Sequence, residues 1–117
     1  MIKIYRLSRG VFSDYITETV RGKDTNEFVL RLKLSAMIYA TDVVIKRPTY
    51  NIYKIGKFCI LVKHNSPDYI SLVYWDPNKY AKTSPQVREK LVNAYRELGL
   101  NDEGNKYIRE IKEVDED

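Results

Sequence analysis

Few residues in this chain are equipped for chemistry. His64 is its only histidine and Cys59 its only cysteine. A nucleophilic pair made from them needs both side chains on one face and a third group to orient the base. They stand five residues apart in a run of β-forming residues. Side chains an odd number apart on a strand point to opposite faces, so the expectation is an inert buried thiol and a strand-end imidazole. A single histidine also excludes HExxH metalloproteases and nucleases that hold metal with paired histidines. A single cysteine excludes an internal disulfide and Cys₄ or Cys₂His₂ zinc sites.

A metal-dependent nuclease would cluster acids with a lysine, to hold Mg²⁺ and activate water. Pro67-Asp68 with the later Glu110-Ile111-Lys112 resembles the PD…(D/E)xK pattern of one nuclease superfamily. That pattern needs its second half on a strand, whereas residues 107–114 have helical spacing. Acids and lysines are also abundant enough here to supply such a triplet by chance. No GxxxxGK(S/T), GxGxxG or GxSxG motif occurs, which argues against a phosphate-cradling loop or a serine nucleophile elbow. The stretch GKFCILV is similar to the aromatic strand motif of RNA-recognition domains, but it has one aromatic where that motif stacks bases on two or three. The chain is therefore read as non-enzymatic, with no catalytic residue, cofactor or metal; a metal-dependent nuclease is the most distant alternative.

What remains is cationic and aromatic. Between Asp42 and Asp68 there is no acid, yet Lys46, Arg47, Lys54, Lys57 and Lys63 stand there beside Tyr50, Tyr53 and Phe58. Lysine and arginine neutralise phosphates and release counterions, and a tyrosine face stacks on an unpaired base for ~1–3 kcal/mol. On a hairpin, Tyr50, Tyr53, Lys54, Lys57 and Lys63 lie close enough to act together, with Lys46 and Arg47 alongside. Lys79, Tyr80 and Lys82 extend the patch. A competing explanation is that lysine keeps an exposed sheet edge from pairing with another chain. The expected function is that of a small accessory or regulatory protein binding DNA or RNA through this basic, tyrosine-bearing β-hairpin. The alternative is a protein-interaction module, a homodimer or an inhibitor of a host protein, for which ten tyrosines supply favoured contact residues.

The bulk numbers frame that expectation. A chain of 117 residues is one domain long, and it buries roughly 65% of its unfolded surface, enough to fold without staples. A hydrophobic fraction of 44% with 31% charged residues fits a globular rather than a disordered chain. The net charge of +4 conceals a division: residues 1–100 carry +8 and residues 101–117 carry −4. A basic body with an acidic end suggests a polyanionic partner. The start, MIKIYRLSRG, lacks the apolar block of a secretion signal, and no uncharged apolar run approaches the ~20 residues of a membrane helix. A cytoplasmic protein without membrane contact is expected. Small size, a Tyr/Lys/Ile/Glu bias and missing catalytic signatures are typical of accessory proteins of phages, archaeal viruses or plasmids.

The elements that must position the basic residues can be read along the chain. Met1 to Leu7 reads as a strand, and Phe12, Tyr15, Ile16 and Val20 recur at helical spacing up to Gly22. From Asp24 to Ala40 there is neither Gly nor Pro. Asp24 and Glu27 resemble a capping box, so a largely buried helix ending near Thr41 is expected. Val43 to Ile45 opens the sheet, and Pro48 interrupts it. Asn51–Ile55 and Lys57–His64 flank Gly56 as a hairpin, residues 65–68 reverse the chain, and Tyr69 to Trp75 returns as one strand. Apolar residues of both parities in the last two runs predict strands that are covered on both faces or sit centrally. Ser84-Pro85 starts a helix with Val87, Leu91, Ala94, Tyr95 and Leu98 on one stripe and Gly99 as its stop. Tyr107, Ile108, Ile111 and Val114 predict a last helix. The architecture expected is α+β: a small, mainly antiparallel sheet of three to five strands packed with three to four helices. It occupies one domain, residues 1–114, followed by an acidic end at 115–117.

Overall fold

The computed structural model describes residues 1–12, 26–56, 58–76 and 83–100. Within them the fold is α+β, with strands β1 (Arg6–Leu7), β2 (Val43–Lys46), β3 (Tyr50–Ile55), β4 (Phe58–Lys63), β5 (Tyr69–Ile70) and β6 (Leu72–Trp75) and helices α1 (Glu27–Ala40) and α2 (Pro85–Glu97). The described helices number two rather than three to four. The helices expected near Phe12–Val20 and Tyr107–Val114 fall largely or wholly outside the described residues.

The main sheet is four-stranded and antiparallel, in the order β2-β3-β4-β6. Ile55 pairs with Phe58, so the β3–β4 reversal takes two residues, and Gly56 supplies the positive φ (+57°) that such tight hairpin loops demand. β4 lies between β3 and β6, and Phe58, Cys59, Ile60 and Val62 on it are all buried. The central place expected from mixed parity holds for β4, although its outer face is covered only at Cys59, Leu61 being half-buried and Lys63 exposed. β6 is an outer strand with Leu72 exposed, contrary to that expectation. One face of the sheet, carrying Ile55, Phe58, Ile60, Val62 and Val73, forms the core with the helices.

Two strand expectations are corrected. The N-terminal strand shrinks to Arg6–Leu7, and Tyr69–Trp75 is split between two sheets. Arg6–Leu7 runs parallel to Tyr69–Ile70, with Arg6 N–H donating to the Asp68 carbonyl (2.9 Å) and Ser8 N–H to that of Ile70 (2.9 Å). At Ser71 the chain changes partner: Ser71 N–H donates to the Leu61 carbonyl (2.8 Å) while Leu72 is the register partner of Leu61. Two residues thus face one, a bulge that re-aims the chain from the small sheet into the large one. Helix α1 ties this junction down from the other side. Its Ser35 Oγ accepts from Tyr5 N–H (2.9 Å), and its Arg31 Nε donates to the Tyr5 carbonyl (3.1 Å).

The two helices are held differently. α1 is capped by Asn26, whose side chain accepts from Val29 N–H at 2.8 Å; Asn26 takes the N-cap place expected of Asp24. It is buried on most of its circumference, Leu30, Leu34, Ala36 and Met37 almost completely, which is why its apolar residues show no clean stripe. α2 is amphipathic and buries only Val87, Leu91, Ala94 and Tyr95. Ser84 Oγ accepts from Val87 N–H (3.2 Å), Pro85 fills the first helical position, and Gly99 (φ +77°) allows Leu100 N–H to close on the Tyr95 carbonyl (2.8 Å). Removing the Ser84 cap costs about 1 kcal/mol.

Candidate nucleic-acid interface

The pairing register decides which predicted residues meet. Facing away from the core, β2, β3, β4 and β6 present Val43 and Ile45; Tyr50, Ile52 and Lys54; Cys59, Leu61 and Lys63; and Leu72 and Tyr74. Tyr50 is paired with Lys63 across β3–β4. On its other side Arg47 N–H donates to the Tyr50 carbonyl (2.9 Å), continuing the β2–β3 ladder one step beyond Lys46–Asn51. Arg47, Tyr50 and Lys63 therefore form one cross-strand row, where directly opposed Cβ atoms lie roughly 4.5–5.5 Å apart. Arg47 and Lys63 are exposed and Tyr50 is half-buried.

Two turns frame this end of the sheet. His64 N–H donates to the Thr49 carbonyl (2.9 Å), and Ser66 N–H to that of Lys63 (3.1 Å). The His64 ring bridges them, with Nδ1 3.2 Å from the Pro48 carbonyl and Nε2 3.1 Å from Asn51 Oδ1. Pro48, Thr49, Tyr50, Lys63, His64 and Asn65 line an open cleft of about 270 Å³. No carboxylate lies in the sequence between Asp42 and Asp68, and Asp68 is engaged by Lys3 Nζ at 3.1 Å. The cleft offers anionic groups one cation, Lys63, with Arg47 next to it in the cross-strand row and Tyr50 as its one aromatic residue.

The other predicted site residues are placed as follows. Lys46 is exposed at the sheet edge, level with Asn51 and on the opposite face from the row. Tyr53 turns to the core side, packs against the core cluster and shares a hydrogen bond with Tyr5. Burial and this neighbouring phenol raise the Tyr5 pKa. Lys54 faces the same way as Lys63 but is 4% exposed and sits four residues along the strand from Tyr50, roughly 13 Å away. Lys57, Lys79 and Lys82 lie outside the described residues. The structure thus brings together Arg47, Tyr50 and Lys63, leaves Lys46 on the opposite face at the sheet edge, and separates Tyr53 and Lys54 from them. His64, Thr49 and Asn65 are additions. The sequence marks His64 as a strand-end imidazole, which is where it stands, directly after β4; the signal for Thr49 and Asn65 is the turn composition on either side of the strands.

A second row crosses the same face at its other end. Cys59 lies between Lys54 and Tyr74. Burial first, and then the Cys59 side chain, push the Tyr74 phenol up to about 12. Cys59 is 1% exposed; it and His64 sit at opposite ends of β4 and share no site. Glu110 falls outside the described residues, so its relation to Asp68 does not enter. Among the described residues no group of three His, Cys, Asp or Glu side chains is placed to hold a metal, and no helix is long and apolar enough to cross a membrane. In comparison with known proteins the chain matches no family model, no curated protein and no solved structure.

Proposed function

We propose that this protein is a non-enzymatic nucleic-acid-binding accessory protein whose contact surface is the Arg47–Tyr50–Lys63 end of the sheet. The observation that carries this reading is the row itself: a phenol ring between two exposed cations, with His64 next to Lys63, in a 25-residue window without an acid. Arginine and lysine on either side hold successive phosphates while the ring between them takes a base. Backbone contacts position the strand and carry no sequence information, so binding with little sequence preference is expected.

A gel-shift series at two salt concentrations, with single-stranded and duplex probes, tests it. Affinity falls steeply with salt, and Arg47→Glu with Lys63→Glu weakens binding more than tenfold and flattens the salt slope by roughly two. Both residues are exposed, so the unfolding midpoint of the double variant stays near that of the parent protein. Binding that ignores salt, or survives the double reversal, removes this surface from consideration.

A further inference from the structure

We propose that β2 is a self-pairing edge, and that two copies of this chain join antiparallel along it, about a two-fold axis through Val44, into one continuous eight-stranded sheet. The inference is independent of the nucleic-acid reading. β2 is an outer strand of the main sheet. The Arg47 N–H to Tyr50 carbonyl bond sets the phase of its ladder. In an antiparallel pair the inward backbone groups recur at every second residue, so Val43, Ile45 and Arg47 face β3, while Val44 and Lys46 turn N–H and C=O outward. Among the described residues no backbone group pairs with them. Val44 is 36% exposed, and Asp42 and Lys46 are exposed beside it. An open edge of this kind is a template for another strand.

Side-chain complementarity selects the second strand as β2 itself. With the axis through Val44, each valine meets its own copy, and Lys46 stands opposite the partner's Asp42, twice. On the other face Val43 stands opposite the partner's Ile45, again twice. From Asp42 to Lys46 every cross-strand pair is apolar with apolar or plus with minus, and beyond them Arg47 meets the partner's Thr41 without a like charge opposite it. Moving the axis to Ile45 sets Val44 against lysine and Val43 against arginine. Moving it to Lys46 sets lysine against lysine and aims the Val44 carbonyl at Pro48, which has no N–H to donate. Lysine on an edge ordinarily discourages pairing; here the partner's Asp42 answers it. Half-buried Val43 and Ile45 would be covered further by the union.

Sedimentation velocity on the full chain over a wide concentration range tests the proposal. A concentration-dependent dimer is expected for the parent protein. Asp42→Lys alone and Lys46→Asp alone each weaken it roughly tenfold, because each reversal opposes two like-charge pairs. Asp42→Lys combined with Lys46→Asp restores it, and that rescue separates a lost contact from a damaged fold. Val44→Pro removes an outward N–H while leaving the β2–β3 ladder intact, and abolishes the dimer. A parent chain that stays monomeric up to its solubility limit overturns the proposal. So does a dimer unmoved by Asp42→Lys, or one that the charge swap fails to restore.

Discussion

Two rows cross the same face of the main sheet, and they have opposite characters. Arg47–Tyr50–Lys63 is open, with both cations in solvent; Lys54–Cys59–Tyr74 is closed, its first two members 4% and 1% exposed. Lys54 and Lys63 share a face, yet their surroundings differ as much as those of a core and a surface residue. Strand alternation therefore fixes direction but not depth. A lysine contributes to binding only if the face it points from is also open where it stands.

The largest effect should come from charge reversal in the closed row. Lys54→Glu replaces a long side chain, able to bury its stem and extend its head, with a shorter acid at a site that gives little access to water. Its cost should be about 2–4 kcal/mol, read as a lower urea midpoint. Lys63→Glu, in the open row, should stay within about 0.5 kcal/mol. Lys54→Met sharpens the contrast by keeping the stem and dropping the charge, and should cost under about 1.5 kcal/mol. If Lys54→Glu and Lys63→Glu prove equally mild, the two rows are not the different environments described.

Next in size is the ring of the open row. Tyr50→Ala should lose roughly 1–3 kcal/mol of single-strand affinity, about the worth of one stacked base, and much less on duplex probes. Tyr53→Ala should act the other way. Its ring packs on the core and meets Tyr5, so stability drops while the affinity of the folded fraction holds. Equal binding losses from the two variants would erase the distinction between the rings.

Legibility followed the range of the interaction that settles each feature. Helix α2 was readable in full, because Ser84, Pro85 and Gly99 act within a turn of the residues they cap. The β3–β4 hairpin and the central place of β4 were readable for the same reason: Gly56 sits between two apolar runs of mixed parity. The division of Tyr69–Trp75 was not, since its first half pairs with Arg6–Leu7, more than sixty residues earlier. Nothing local marks Ser71 as the crossing point. The site was readable in composition but not in membership. Alternation shows that Tyr50 and Tyr53 point to opposite faces, yet with apolar residues on both parities it does not say which face becomes core. The depth of Lys54 has no local signal either, because its surroundings include Thr83 and Val87, some thirty residues further along the chain.

The smallest effect is absent at neutral pH and appears only in alkali, where it probes the closed row alone. The folded state holds the Tyr74 phenol neutral up to about 12, whereas an unfolded tyrosine ionises near its ordinary value of about 10. Between those values the unfolded chain has released a proton that the native chain still holds. Stability is therefore at its full value below about pH 10 and declines as pH rises toward about 12. Tyr74→Phe removes that contribution, so its unfolding midpoint should fall less steeply across this window, while the share from Tyr5, whose pKa is also raised, remains. Phenolate absorbance during titration should lose one late-ionising tyrosine in the variant. A parent protein whose tyrosines all ionise near 10 would mean that the Cys59 end of the face is as open to water as the Lys63 end.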